Sequence, residues 1–347
     1  MTTESEKLNF SCDYLEGCHP NILQRLMQTN LIKMNGYGED PCSKSAQDRI
    51  RKACGAPGAE VRFLAGGTQI NAVMIDALLA SYQGVIAAES GHVAVHEAGA
   101  IEAGGHKVLT LPGKDGKLSA DAIRAFVEDF AADPNHDHEV WPGMVYLSQP
   151  TEFGTLYSLE ELTAISKVCH DNRLFLYVDG ARLAYALASP ANDVTLPDLA
   201  RLCDAFYIGG TKCGALCGEA AVVPHPELIP HFFTIIKQHG ALTAKGRLLG
   251  IQFDELFRDD LYLHIGGSAV LYAQELKKAL QEKGYPLYLN SPTNQIFFVI
   301  DSRQRERLSA HVEFSIFEKL DADHYAARLA TSWASSKEDV ERLIALL

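Results

Sequence analysis

The chain of 347 residues is 47% hydrophobic and 22% charged, the balance of an ordinary folded protein. It is long enough for one large domain with a smaller one attached. Lys+Arg 31 against Asp+Glu 44 leaves a net charge of −13, which argues against a nucleic-acid partner. The polar, acid-bearing stretch Met1 to Asn9 is no signal peptide, and no apolar run approaches membrane-spanning length. The eight cysteines are scattered without CxxC spacing, so they read as reduced thiols of a cytoplasmic protein.

After an irregular start, a helix is expected from Asn21 to Thr29, then a glycine-broken loop around Tyr37-Gly38-Glu39-Asp40-Pro41. Ser43 to Cys54 reads as a helix capped by Ser45 or Ser43. Val61 to Leu64 is a short strand; Ala65-Gly66-Gly67-Thr68 follows, then an apolar-periodic helix through Ala80. From there strands and helices alternate: strand Val85–Ala88, helix His92–Ala103, strand Lys107–Leu111, helix Ser119–Ala131, strand Met144–Leu147, helix Leu159–Cys169, strand Leu174–Val178. Leu196–Leu202 is a short helix and Ala205–Ile208 a strand; Ala220–Val223 is a candidate strand before a long helix beginning near Glu227. Such alternation means βαβ units and a doubly wound, mostly parallel sheet. A helical run from Ala244 to Phe257 leads to a boundary near Asp259-Asp260, giving an N-terminal segment 1–20, a large domain 21–259 and a small C-terminal domain 260–347. The small domain opens with a helix from Ser268 to Lys283, carries a strand at Ile296–Ile300 and closes with a helix from Lys337.

Three features fall at the ends of these elements. The strand Ala205–Ile208 runs into Gly209-Gly210-Thr211-Lys212, where the glycines let the backbone turn sharply and approach a ligand. A lysine tucked against a sheet loses part of its hydration and releases its proton more easily, the state an imine-forming amine needs. Asp179 ends the buried strand Leu174–Val178, where open α/β sheets bind ligands. It has two readings: a structural ion pair with Arg182, or a charge-assisted hydrogen bond to a protonated pyridine nitrogen. Gly66-Gly67-Thr68-Gln69 joins a strand to a helix and offers free N–H groups to a phosphate, although no dinucleotide or P-loop fingerprint is present. His92 and His96 have the i, i+4 spacing of a zinc pair, but no third ligand is in view, so no metal is assigned.

A phosphate cradle, an acid and a lysine in that order resemble the fold-type I, pyridoxal-phosphate-dependent transferase-like enzymes, α/β proteins with a large doubly wound domain and a smaller C-terminal α+β domain. The resemblance narrows with Tyr37-Gly38-Glu39-Asp40-Pro41, Gly67-Thr68-Gln69-Ile70-Asn71, Gly91-His92 with Glu97-Ala98-Gly99, Asp179-Gly180-Ala181-Arg182-Leu183, Thr211-Lys212 and Arg328-Leu329-Ala330-Thr331-Ser332. Taken as a set these look like the L-threonine aldolase family over nearly the whole chain. The resemblance implies that Lys212 carries pyridoxal 5'-phosphate, Asp179 holds its ring nitrogen and His92 stacks on its face. Gly67, Thr68 and Thr211 would hold the phosphate, and Arg182 and Arg328 the substrate carboxylate. Tyr37 and Lys245 would reach a neighbouring subunit's site, so a homodimer or homotetramer is implied.

The chain departs from the family at two positions. In Pro150-Thr151-Glu152-Phe153-Gly154 a glutamate stands where many members have a histidine proposed to help take the substrate hydroxyl proton, as in a branch that includes phenylserine aldolases. Cys12 falls where the family has a serine near the substrate carboxylate. The implied reaction cleaves a β-hydroxy-α-amino acid to glycine and an aldehyde, with Lys212, His92 and Glu152 as the catalytic set. A β-eliminating lyase or an aminotransferase on the same fold is the alternative, and a non-catalytic cofactor-binding protein a third.

Overall fold

The structure, a computed structural model, describes residues 7–347. After a two-residue strand β1 (Leu8–Asn9), seven strands build the central sheet: β2 (Glu60–Leu64), β3 (Gln83–Ala88), β4 (Val108–Leu111), β5 (Trp141–Ser148), β6 (Phe175–Asp179), β7 (Ala205–Gly209) and β8 (Glu219–Val223). Their order is β2-β8-β7-β6-β5-β3-β4. Strands β3 to β7 pair in parallel, and β8 runs opposite to both of its neighbours, β2 and β7.

The inner parallel strands, β3 and β5 to β7, are covered on both faces, which is why they read as apolar runs rather than as alternation. Ile86, Val145, Leu147, Leu176, Val178, Phe206 and Ile208 point into one buried cluster. Val85, Ala87, Met144, Tyr146, Tyr177 and Tyr207 point into the cluster on the other face, where helix Gly67–Leu78 packs. The period of two therefore places three buried tyrosines and Asp179 on one face of the sheet.

The C-terminal sheet is antiparallel, in the order β12-β13-β10-β9, from β9 (Leu287–Leu289), β10 (Gln295–Asp301), β12 (Ser315–Lys319) and β13 (His324–Ala330). Strand β11 (Val312–Glu313) pairs in parallel with β1. Leu8 and Phe10 thereby join the cluster formed by Ile296, Phe298, Leu329, Leu276, Val340 and Leu343. Among the described residues no helix is long and apolar enough to cross a membrane.

The structure corrects three expectations and adds one helix beside the site. Helix Pro41–Ala53 is capped by Asp40, whose side chain accepts the Ser43 N–H, rather than by Ser43 or Ser45; Pro41 then occupies the first turn, where no N–H is needed. The single helix expected over His92–Ala103 is two short ones, His92–Val95 and Ala100–Ala103, because Ala98 and Gly99 turn left-handed at φ 51° and 73°. The long helix near Glu227 is a single 3₁₀ turn, Pro226–Leu228, and helix Phe232–Gln238 starts only after His231 at φ 61°. An additional helix, Leu183–Ala188, follows Arg182.

Candidate active site

A cavity of about 550 Å³ opens where β3, β5, β6 and β7 end, walled by His92, Ser148, Asp179 and Lys212 from those strand ends and closed by Tyr14, Phe317 and Arg328. This is the end at which open parallel sheets bind ligands.

Lys212 reaches it through a tight turn between β7 and β8. The Gly210 N–H donates to the Gly218 carbonyl at 3.0 Å and to Glu219 Oε2 at 2.9 Å, and the Thr211 N–H to the Gly218 carbonyl at 3.1 Å. A Cβ on Gly210 would lie 2.5 Å from the Gly218 oxygen, so the turn closes only on glycine. Tyr185 Oη donates to the Lys212 carbonyl at 2.6 Å and fixes the start of the side chain. Burial and the nearby Arg182 charge bring the Lys212 amine below its ordinary value, against the pull of Asp13, Asp179 and Glu219. A larger share of neutral amine is what imine formation requires.

Asp179 stands opposite, buried at 4% exposure. Its Oδ2 accepts from Tyr146 Oη at 2.6 Å and Asn71 Nδ2 at 3.1 Å, and its Oδ1 from the Ala181 N–H at 2.9 Å. Burial alone raises its pKa; bonds from Tyr146 and Tyr207, with His92 and the Ala181 N–H, bring it below the usual carboxylate range. The structural reading of Asp179 as the partner of Arg182 is corrected. Arg182 Nε and Nη2 fork onto Asp13 at 2.7 and 2.9 Å, and Asn294 Nδ2 adds a bond to the same carboxylate at 2.9 Å. Asp179 makes no ion pair among the described residues and is free to hold a cation from a ligand.

Helix Gly67–Leu78 starts at the cavity wall, and its N-cap, Gly66, supplies no side-chain bond, which leaves the first N–H groups to a ligand. Thr68 and Thr211 line the same end.

Glu152 is held rather than solvated: Ser148 Oγ donates to its Oε1 at 2.7 Å and the His92 N–H at 3.0 Å. Burial raises its carboxyl above the ordinary value, with Ser148 opposing. The His92 ring is oriented by Glu97, whose Oε1 meets Nδ1 at 2.8 Å and accepts from Asn71 Nδ2 at 2.6 Å. His92 is the first residue of its short helix and makes no capping bond. Arg328 Nη2 donates to the Ser11 carbonyl at 3.1 Å, Nη1 to Gln295 Oε1 at 3.2 Å, and its buried Nε has no partner among the described residues.

Lys212, His92, Glu152, Gly67, Thr68, Asp179, Arg182, Thr211 and Arg328 thus share one cavity, and Cys12, Tyr37 and Lys245 do not line it. From the segment of Cys12 it is Asp13 and Tyr14 that serve the site. The Tyr37 N–H donates to the Ala244 carbonyl at 3.1 Å, which sets Tyr37 beside exposed Lys245 on another part of the surface. Residues without an assigned role from sequence include Asp13, Asn71, Glu97, Tyr146, Tyr207 and Glu219. Asn71 and Glu97 stand in the quoted motifs without a role, and Glu219 carries a local signal of its own, a charged residue heading an apolar strand directly after a glycine.

The donor set fits pyridoxal phosphate: a lysine with a weakened hold on its proton, an ionised buried acid lacking a cation, and an uncapped helix start. Comparison with known proteins agrees. Residues 18–302 match the family model described as beta-eliminating lyase. The low specificity L-threonine aldolase of Pseudomonas aeruginosa is 32% identical, over 99% of this chain and 97% of that protein. That of Pseudomonas sp. strain NCIMB 10558 is 31% identical over 89% and 88%. A solved threonine aldolase of Leishmania major superposes with a TM-score of 0.95 at 40% identity, covering 98% of both chains. The chain belongs to the beta-eliminating lyase family, and is a pyridoxal-phosphate-dependent lyase of fold type I.

Proposed function

We propose that the protein cleaves L-threonine, L-allo-threonine or a related β-hydroxy-α-amino acid to glycine and an aldehyde. The observation that carries this reading is the placement of a restrained carboxylate, Glu152, in the same cavity as Lys212, Asp179 and two arginines. The names of the relatives point the same way.

When bound, pyridoxal phosphate supplies the electron sink for the charge left on Cα. Lys212 would hold the cofactor covalently, and Asp179 would keep the proton on its ring nitrogen. Gly67, Thr68 and Thr211 would hold the phosphate, and His92, oriented by Glu97, would pack against the ring. Arg182 and Arg328 hold the substrate carboxylate and so set which Cα bond is broken; a rigid Asp13 fork keeps Arg182 in place. Glu152, raised by burial, takes the β-hydroxyl proton as general base. Tyr37 and Lys245, adjacent to each other and outside their own cavity, complete the site of a second copy in a homodimer or homotetramer. The free cysteines suit a cytoplasmic setting.

The test is product analysis with purified protein, cofactor and L-threonine. Glycine and acetaldehyde in equal amounts support the reading. Ammonia with a 2-oxo acid overturns it in favour of β-elimination, the reaction named in the family description.

A further inference from the structure

We infer that Glu219 is a proton-carrying donor to the cofactor phosphate, so that phosphate binding at this site takes up a proton onto its carboxyl. The inference rests on the cofactor reading above.

The register of the sheet puts Glu219 at the cradle. It pairs with Leu64 of β2, immediately before Ala65-Gly66-Gly67, and with Gly209 of β7, immediately before the Lys212 turn. It lines the cavity together with Gly66, Gly67, Thr68 and Thr211, and it is 4% exposed. A carboxylate at the place where an uncapped helix start gathers a dianion is electrostatically opposed to that dianion. Among the described residues of its own chain, Lys212 is the one cation set against it; Lys245 of a second copy would come from outside the chain. From the turn, Lys212 attracts it, but that amine is the one whose neutral form makes the covalent link. Asp179 on β6 repels it, and Tyr177, Tyr207, Cys213 and Tyr262 face it from β6, β7, the turn and helix Leu261–Ile265, all held in their neutral forms by burial. Its Oε2 accepts the Gly210 N–H at 2.9 Å, which leaves Oε1 to carry the proton. In the free site burial already pushes the carboxyl up to about 7, against the Thr211 and Gly210 bonds. A bound dianion raises it further, and the protonated acid then donates to the phosphate instead of repelling it.

The consequence is readable without turnover. Pyridoxine 5'-phosphate has the phosphate but no aldehyde, and between pH 7 and 9 its phosphate stays dianionic because the second ionisation lies near pH 6. If binding requires protonated Glu219, its Kd for the apoprotein rises toward about 50-fold between pH 7 and 9. Glu219→Gln keeps an acceptor for the Gly210 N–H but cannot ionise, so the rise should shrink to the share due to Lys212, the ligand's ring nitrogen and Lys245 of a second copy. The carboxylic-acid carbonyl stretch should also appear in a wild-type infrared difference spectrum on ligand binding at pH 8.5. Equal pH profiles for wild type and Glu219→Gln, or no acid band in the wild type, overturn the inference while the cofactor reading stands. Failure of the ligand to bind at any pH overturns both. Should Glu219→Gln not fold, the wild-type infrared band alone decides.

Discussion

Replacing Asp13 by Asn tests whether the buried fork on Arg182 holds the site together. Burial would raise the Asp13 carboxyl, but the Arg182 charge, Lys212 and the bonds from Arg182 and Asn294 bring it down to about 2 from 3.8. That difference, at about 1.36 kcal/mol for each pH unit, corresponds to about 2.5 kcal/mol favouring the ionised folded form. Because the folded value is depressed, this contribution is complete above about pH 4 and fades as pH falls through about 2. Asn leaves a buried guanidinium facing an amide with one acceptor; breaking a buried pair from one side costs about 3–5 kcal/mol. We take about 3 kcal/mol, since one hydrogen bond survives. A chain of this length unfolds with an entropy of about 0.7 kcal/mol per kelvin, so Tm should fall by about 4 °C at pH 7.5. Differential scanning calorimetry reads this, and the gap to wild type should narrow as pH is lowered from about 4 toward 2. In kinetics KM for the amino acid should rise, because Arg182 loses its bearing. A Tm within about 1 °C of wild type with unchanged KM would refute the reasoning.

Four further outcomes follow from the same geometry. Lys212→Ala should abolish the borohydride-trapped cofactor adduct; an adduct mapped to another lysine removes Lys212 from its role. Glu152→Gln should lower kcat by roughly two or more powers of ten while the variant still binds glycine, whereas near-native kcat returns Glu152 to a structural role. Gly210→Ala should be destabilised by about 1–3 kcal/mol or more, because its Cβ meets the Gly218 oxygen and Phe253; a denaturant midpoint equal to wild type disproves the close approach. Sedimentation should find the active species to be at least a dimer, and a fully active monomer sinks the shared-site proposal.

What the sequence shows by itself depends on how local the cause is. The strand–glycine–lysine turn and the acid at the end of β6 are legible because each is a contiguous run whose backbone demands are written in its own residues. The partner of Arg182 is not, because Asp13 lies 169 residues away and nothing in its polar neighbourhood marks it. Proximity in sequence made Asp179 the obvious candidate, whereas the sheet places Asp179 against Tyr146 and Asn71 instead. The helix expected over His92–Ala103 broke for a related reason: Ala98 takes a positive φ that alanine does not advertise, and the break brings Glu97 to the Nδ1 edge of the His92 ring. Cys12 shows the limit of reading register from an extended segment, since a shift of one residue puts Asp13 at the site.

The N-terminal residues that anchor the two arginines carry a consequence for how the molecule is made. Ser11 holds Arg328 across 317 residues of chain, and β1 must find β11 before Leu8 and Phe10 are covered. During synthesis this segment leaves the ribosome well before β11 and therefore waits for it, with two apolar side chains exposed in the interval. Contacts so distant in sequence close late and slowly, after the parallel sheet has formed. Substrate-binding competence is thereby deferred to the end of folding, and a chain cut after its central sheet carries Ser11 and Asp13 but still lacks Arg328 and the β11 strand that seats the segment holding both guanidinium groups.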